Sequence, residues 1–222
     1  MKNEQDFFVV LPVYNEEEML SSVLKDVLKY SKRECVVVVD DGSTDNSFKI
    51  AKSFSVKCIR HEINLGKGAA LKTGCDFASK RAKKIIVMDS DGQHPPHHIP
   101  KFASMLDKYD VVLGYRKRTS EMPFVSRAGN LILDAFSKMI LHAEIKDSQC
   151  GFRGFTSKVY PLLRWNSTDY TVETEFLVRM IKNKLSYIQL PIETIYHNAY
   201  KGTTPLDGIK IVFNTLKFRL FD

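Results

Sequence analysis

No apolar run in this 222-residue chain approaches the roughly 20 residues needed to cross a bilayer. The opening MKNEQDFFVVLP has too short an apolar core for a secretory signal. Work at a membrane therefore falls to a surface contact or to a membrane-protein partner. Cysteine is scarce. Cys35, Cys58, Cys75 and Cys150 show neither metal-ligand nor redox spacing, which argues against a disulfide scaffold and for a reducing, cytoplasmic setting. Cys35 and Cys58 lie in apolar runs and read as buried small hydrophobes. There is no HExxH and no Walker loop, and Gly66, Gly68 and Gly74 miss the G-x-G-x-x-G spacing because position 71 is Leu. Repeats and low-complexity segments are absent as well. The densest like-charge group, Lys80, Arg81, Lys83 and Lys84, reads as a solvated helix end rather than a nucleic-acid patch.

What is present is a globular composition, 44% hydrophobic and 27% charged, with a formal net charge of +7. That balance fits a packed core and favours anionic partners such as nucleotides and phosphates. Strand-like runs alternate with helical patterns through the first half. Strands are expected at Phe7–Leu11, Cys35–Val39, Val56–Ile59, Ile85–Met88 and Val111–Leu113. Helices are expected at Met19–Tyr30, Ser43–Phe54, Gly68–Ala82 and Pro95–Leu106. Asn15 with Glu18 has capping-box spacing for the first helix, and Ser43 or Thr44 is placed to cap the second. The second half is less regular. It offers helices at Phe124–Leu141, Thr174–Lys184 and Leu206–Leu220, and strands at Ser186–Leu190 and Glu193–Tyr196 separated by Pro191. Alternation with near-continuous Val/Ile strands predicts an α/β fold, a mostly parallel central sheet with helices on both faces. A single domain over 1–222 is expected, with 1–115 and 116–222 as its two halves. In such sheets ligands bind at the carboxyl ends of the strands, where Asp40, Asp41, Asp89 and Asp91 all fall.

Asp89-Ser90-Asp91-Gly92-Gln93 places two carboxylates one residue apart, just past a buried strand. Like charges so close call for a cation or for hydrogen bonds, and a hard divalent metal with oxygen ligands is the natural resolution. Gln93 offers a further carbonyl oxygen. Asp40 and Asp41 are placed to accept hydrogen bonds from a base or a ribose. Lys67, just ahead of a helix, is a candidate donor contact. His94, His97 and His98 read as local structure or substrate lining rather than as a zinc site, because Pro95 and Pro96 keep them off one helical face. Arg116, Arg118 and Arg127 suit bidentate binding of phosphate. Asp147 is either a general base or the group that orients an arginine.

Taken in order, these pieces resemble glycosyltransferase family two, closest to its dolichyl-phosphate mannose or glucose synthase branch. The resemblance rests on Leu11-Pro12-Val13-Tyr14-Asn15-Glu16, Asp40-Asp41-Gly42-Ser43-Thr44-Asp45 and Asn64-Leu65-Gly66-Lys67-Gly68. It continues through Asp89-Ser90-Asp91-Gly92-Gln93-His94-Pro95, Gly114-Tyr115-Arg116 and the Asp147–Arg153 stretch. It implies a Rossmann-like A-type glycosyltransferase fold and inversion at the anomeric carbon. Pro12, Tyr14, Glu16, Asp40, Asp41, Lys67, Asp89 and Ser90 would bind the nucleotide of a GDP- or UDP-hexose, and Asp89, Asp91 and Gln93 would hold Mg²⁺ or Mn²⁺. Arg116, Arg127 and Arg153 would bind the acceptor phosphate of a polyprenyl lipid. Asp89, Asp91, Arg116, Arg127 and Asp147 would form the catalytic set.

The same residues leave two other readings open. One is transfer to a saccharide hydroxyl in surface-glycan assembly. The other is a non-catalytic nucleotide-sugar-binding subunit of a membrane complex, against which the intact Asp89/Asp91 pair argues. Many members of this branch carry C-terminal membrane helices, and this sequence has none. Residues 206–220 suit docking on the cytoplasmic face of a membrane, ordinary packing, or a contact between copies of the chain.

Overall fold

The computed structural model describes residues 5–116 and 143–195. Within them, seven strands form one sheet in the order β3-β2-β1-β4-β6-β5-β7. The strands are β1 (Gln5–Val13), β2 (Val36–Asp40), β3 (Lys57–Arg60), β4 (Ala82–Val87), β5 (Val111–Arg116), β6 (Arg153–Thr156) and β7 (Tyr187–Ile192). All pair in parallel except β6, which runs antiparallel between β4 and β5. The helices are α1 (Leu20–Val27), α2 (Ser47–Ser53), α3 (Lys67–Ala78), α4 (Ile99–Met105), α5 (Tyr160–Leu163) and α6 (Val172–Lys182).

The central strands are apolar on both sides because both sides are covered. Successive residues alternate faces, so Val10, Val37, Val39, Ile85 and Val87 pack with α3, α5 and α6. Val9, Leu11, Val36, Val38 and Ile86 pack with α1, α2 and α4. Helix α1 presents Leu20, Val23, Leu24 and Val27 to its core, the i, i+3, i+4, i+7 stripe of an amphipathic helix. The α4 face is anchored by Phe102, fully buried and stacked on Phe152 with centroids 4.4 Å apart.

Several expectations change in detail. The strand β6 has no alternating pattern in the sequence. Its Arg153-Gly154-Phe155-Thr156 becomes a strand because it is walled by β4 and β5 on either side. Strand β7 runs through Pro191 instead of breaking there; it is the sheet edge, where a missing N–H costs little. The capping box at Asn15 does not form, and neither α1 nor α2 has a side-chain cap. Asn15 Oδ1 instead accepts the Thr44 N–H, and the Asn15 N–H donates to Ser43 Oγ. The Glu16 N–H donates to Ser47 Oγ, and the Glu17 N–H to Asp45 Oδ2. Cross-loop partners have taken the groups that would otherwise cap, zipping the loops after β1 and β2 together. Pro95 and Pro96 lead into a 3-10 turn at Pro96–His98 before α4 starts. Cys35 is buried, but Cys58 on the edge strand β3 is only partly so. The expected helices at 124–141 and 206–220 lie outside the described residues.

Replacing Phe102 by Ala removes a fully buried ring and leaves Phe152 without its stacking partner. The expected cost is about 3–5 kcal/mol, measured as a lowered urea midpoint with an unchanged denaturant slope.

Candidate active site

The parallel strands bring their carboxyl ends to one edge of the sheet, and the antiparallel β6 brings its amino end to the same edge. Asp40 and Asp41 follow β2, Asp89 and Asp91 follow β4, Arg116 ends β5, and the 147–152 loop enters β6. Lys67 opens α3, and Glu173 sits in the first turn of α6. These residues, far apart in sequence, make one charged cluster.

Its centre is Lys67. The ammonium lies 2.8 Å from Asp89 Oδ1 and 2.7 Å from Glu173 Oε1. Burial opposes its charge, but the two carboxylates outweigh burial and raise the Lys67 pKa. Burial likewise works against an ionised Asp89, yet the Lys67 charge holds its carboxyl below the ordinary value. For Asp91 the balance is reversed: burial, reinforced by repulsion from Asp89, pushes its pKa up. Asp91 Oδ1 accepts the Gln93 N–H at 3.0 Å. The loop turns at Gly92, whose φ of +76° favours glycine. Behind Asp89 stands Gly151, where a Cβ would lie 2.7 Å from the carboxylate carbon; only glycine leaves the carboxylate its place.

Three formal carboxylates, Asp89, Asp91 and Glu173, meet the Lys67 ammonium and the buried Arg153 guanidinium, whose charge acts on Glu173 and Asp89, leaving one negative charge in excess. Such an oxygen-rich, net negative cluster fits a hard divalent cation. His94 lies behind it, buried, with Nε2 3.8 Å from Asp89 Oδ2 and Nδ1 lacking a hydrogen-bond partner. Burial lowers its pKa and favours the neutral ring.

The neighbouring cationic element is Arg116. Its Nε and a terminal nitrogen donate to the two Asp147 oxygens at 2.7 and 3.0 Å, and its backbone N–H adds a third bond at 3.1 Å. Burial alone would raise the Asp147 pKa, but the Arg116 charge and these hydrogen bonds pull it down. Of the two roles open to Asp147, the geometry gives it the orienting of Arg116. A carboxylate so strongly held in its ionised form is a poor proton acceptor.

Elsewhere the structure departs from the sequence reading. Arg153 is buried and donates to the carbonyls of Cys150, Ser148 and Glu173. It bolts the 148–153 loop to α6 and does not face an acceptor. The Ser90 hydroxyl is also buried, donating to the Pro12 carbonyl at 2.7 Å, so it ties the acidic loop to β1 and is not offered to a nucleotide. Lys67 is engaged by carboxylates instead of standing alone as a donor contact. Asp40 is buried, with Oδ2 3.1 Å from Arg60 Nε, an ion pair without hydrogen-bond geometry. Asp41 accepts the N–H groups of Leu65 and Gly66 and contacts His61 Nδ1 at 2.6 Å. Both aspartates brace the pocket wall. Pro12 is buried at the end of β1, and Tyr14 and Glu16 lie just beyond it at the rim, Tyr14 45% exposed. Arg118 and Arg127 lie outside the described residues. Glu173 escaped the sequence reading, although it falls three and seven residues before Phe176 and Met180 on the buried stripe of α6. A carboxylate on an apolar stripe is itself a signal.

Asp147→Asn is expected to destabilise the fold at neutral pH by loosening Arg116. The depressed Asp147 pKa means that its stabilisation is present above the unfolded aspartate value of about 3.9 and disappears as pH falls through the lower folded value. Urea unfolding of both proteins from pH 7 downward checks this: the stability gap closes below about pH 4.

Comparison with known proteins places this arrangement. The model of glycosyl transferase family 2 matches residues 8–174. The chain is 31% identical to the UDP-N-acetylglucosamine–dolichyl-phosphate N-acetylglucosaminyltransferase of Methanococcus voltae, covering 96% of each. It is 30% identical to the dolichyl-phosphate hexose transferase of Haloferax volcanii, over 91% of this chain and 87% of that one. Among solved structures, glucosyl-3-phosphoglycerate synthase of Mycobacterium tuberculosis, in complex with Mn²⁺, UDP and glucosyl-3-phosphoglycerate, superposes with a TM-score of 0.76 at 20% identity. That match covers 97% of this chain and 80% of that one, and it shows a shared A-type glycosyltransferase fold. With its seven-stranded sheet and its acidic pair at the sheet edge, the chain belongs to glycosyl transferase family 2.

Proposed function

We propose that this protein transfers a hexose from a nucleotide-diphosphate sugar to a polyprenyl phosphate, with inversion, at the cytoplasmic face of a membrane. The reading rests on one observation above all: the acidic Asp89/Asp91 pair, in a net negative cluster, stands beside an Arg116 clamped by Asp147. The first pair suits a cation-bound diphosphate and the second suits an anionic acceptor. The dolichyl-phosphate transferases of M. voltae and H. volcanii support the same acceptor class. No helix among the described residues is long and apolar enough to cross a membrane, so membrane contact is proposed as peripheral.

In this mechanism Asp89, Asp91 and Gln93 would hold Mg²⁺ or Mn²⁺, which would supply the Lewis acidity that stabilises a departing diphosphate. Tyr14 and Glu16 line the nucleotide end of the pocket. Lys67 offers positive charge next to the Asp89 carboxylate, where charge develops on the leaving group. Arg116, held flat by Asp147, orients the acceptor phosphate for attack on the anomeric carbon. A phosphate monoester is largely ionised near neutrality, with a second pKa of about 6, so the acceptor needs little help from a base.

The broader test is a panel of UDP- and GDP-hexoses with polyprenyl phosphate and Mn²⁺, scored as extractable glycolipid. Activity on free saccharides alone would discard the lipid acceptor. Asp91→Ala is expected to lower kcat/KM at least about a hundredfold and to abolish the response to metal. Wild-type turnover in that variant would remove the acidic pair from the mechanism.

A further inference from the structure

A second cluster of metal-ligand side chains lies outside the site just described. His97 and His98 belong to the 3-10 turn before α4, and Glu193 follows the last residue of β7. Neighbouring residues in such a turn project about 120° apart, yet these two rings lie side by side, centroids 4.1 Å apart. Both aim at one carboxylate: His97 Nε2 is 3.2 Å and His98 Nε2 2.6 Å from Glu193 Oε2. The ligand atoms all lie within 4.8 Å of one another. Pro95 and Pro96 precede the histidines and the Phe152 ring lies edge-on to His98 at 6.4 Å, while the exposed Glu193 carboxylate is drawn in by the two histidines.

We propose that His97, His98 and Glu193 form a second divalent-metal site, selective for Zn²⁺ or a similar borderline ion over Mg²⁺. Two imidazoles and one carboxylate are a ligand set zinc accepts, with a fourth position left to water. Bond lengths of about 2.0–2.1 Å put tetrahedral ligand atoms about 3.3 Å apart. The His97 contact already matches, and the His98 contact opens by about 0.7 Å as the metal replaces the shared proton. Imidazole nitrogen suits Zn²⁺, Co²⁺ or Ni²⁺, whereas Mg²⁺ keeps to oxygen, so this site and the acidic pair select different ions. Two of the three ligands are biased towards their metal-binding forms. Burial lowers the His98 pKa towards a neutral ring, and the His98 hydrogen bond lowers that of Glu193 towards a carboxylate.

The position gives the site a consequence. Two residues past Glu193, the Ile195 N–H donates to the Gln93 carbonyl at 3.1 Å. A metal on Glu193 therefore fastens the exit of β7 to the turn carrying the acidic loop. That joins the loop bearing Asp91 to the segment leading into residues 196–222.

The test is calorimetric titration of the tag-free chain with ZnCl₂ in excess Mg²⁺, with Co²⁺ absorbance as a second readout. The expected result is one Zn²⁺ per chain, a four-coordinate Co²⁺ spectrum and a higher Tm. His97→Ala and His98→Ala should each weaken Zn²⁺ binding at least about tenfold with an unchanged circular dichroism spectrum. His97 is half exposed, so its replacement keeps the test meaningful even if His98→Ala disturbs packing. Glu193→Gln should weaken binding similarly. Absence of binding, binding that survives loss of both histidines, or binding abolished by Asp91→Asn instead would each overturn the assignment.

Discussion

Like charge gathered at one edge of a sheet is the constraint around which the rest of this protein is arranged. Asp89 and Glu173 meet at Lys67, which bridges them, and Asp91 lies two residues beyond Asp89 and feels its charge. Carboxylates so close repel strongly where water is limited, and that repulsion adds to burial in raising the Asp91 pKa. The packing around the cluster maintains that unfavourable proximity. Gly151 leaves space for the Asp89 carboxylate, Gly92 turns the loop, and the Ser90 hydroxyl anchors it to the Pro12 carbonyl.

A second layer of polar contacts keeps the loops from relaxing away from that arrangement. The turns after β1 and β2 are zipped by Asn15, Glu17, Ser43, Asp45 and Ser47. Asp41 accepts two backbone N–H groups from the loop that leads to Lys67. Buried Arg153 spans the carbonyls of the 148–150 loop and α6, so Gly151 and Glu173 are fixed relative to each other. Because most of these groups are satisfied internally, they shape the pocket without occupying it. In the proposed mechanism the parts that meet ligands are the acidic cluster, Tyr14 and Glu16, and the clamped Arg116.

The antiparallel strand β6 joins the β1–β4 half of the sheet to the remainder. Inserted between β4 and β5, it delivers the 147–152 loop to the edge where the parallel strands end. Arg116 on β5 and Asp147 at the start of that loop meet for this reason, 31 residues apart. The same edge continues to β7, whose exit reaches the His97–His98 turn, so the metal-ligand cluster there and the acidic loop share one backbone contact.

The sequence by itself determined the class of fold and the address of the chemistry. Runs such as Val36–Val39 bury both faces, which requires a covered parallel sheet, and the acidic residues that follow strands then fall at its carboxyl edge. The motifs from Leu11-Pro12 to Arg153 were also sufficient to suggest the family. Tertiary structure alone decided how those residues are used. Arg153 and Ser90 look identical in sequence whether they meet a ligand or a backbone carbonyl, and only the packing assigned them to carbonyls. Asp147 could be a base or a brace until Arg116 was seen to hold both its oxygens. Strand β6 was invisible because four residues without alternation become a strand only when neighbours supply the hydrogen bonds. Glu173 and the His97–His98–Glu193 group depend on contacts between segments about 100 residues apart, which local pattern does not encode. Periodicity reports burial, whereas the pairing of charges is settled by where the chain crosses itself.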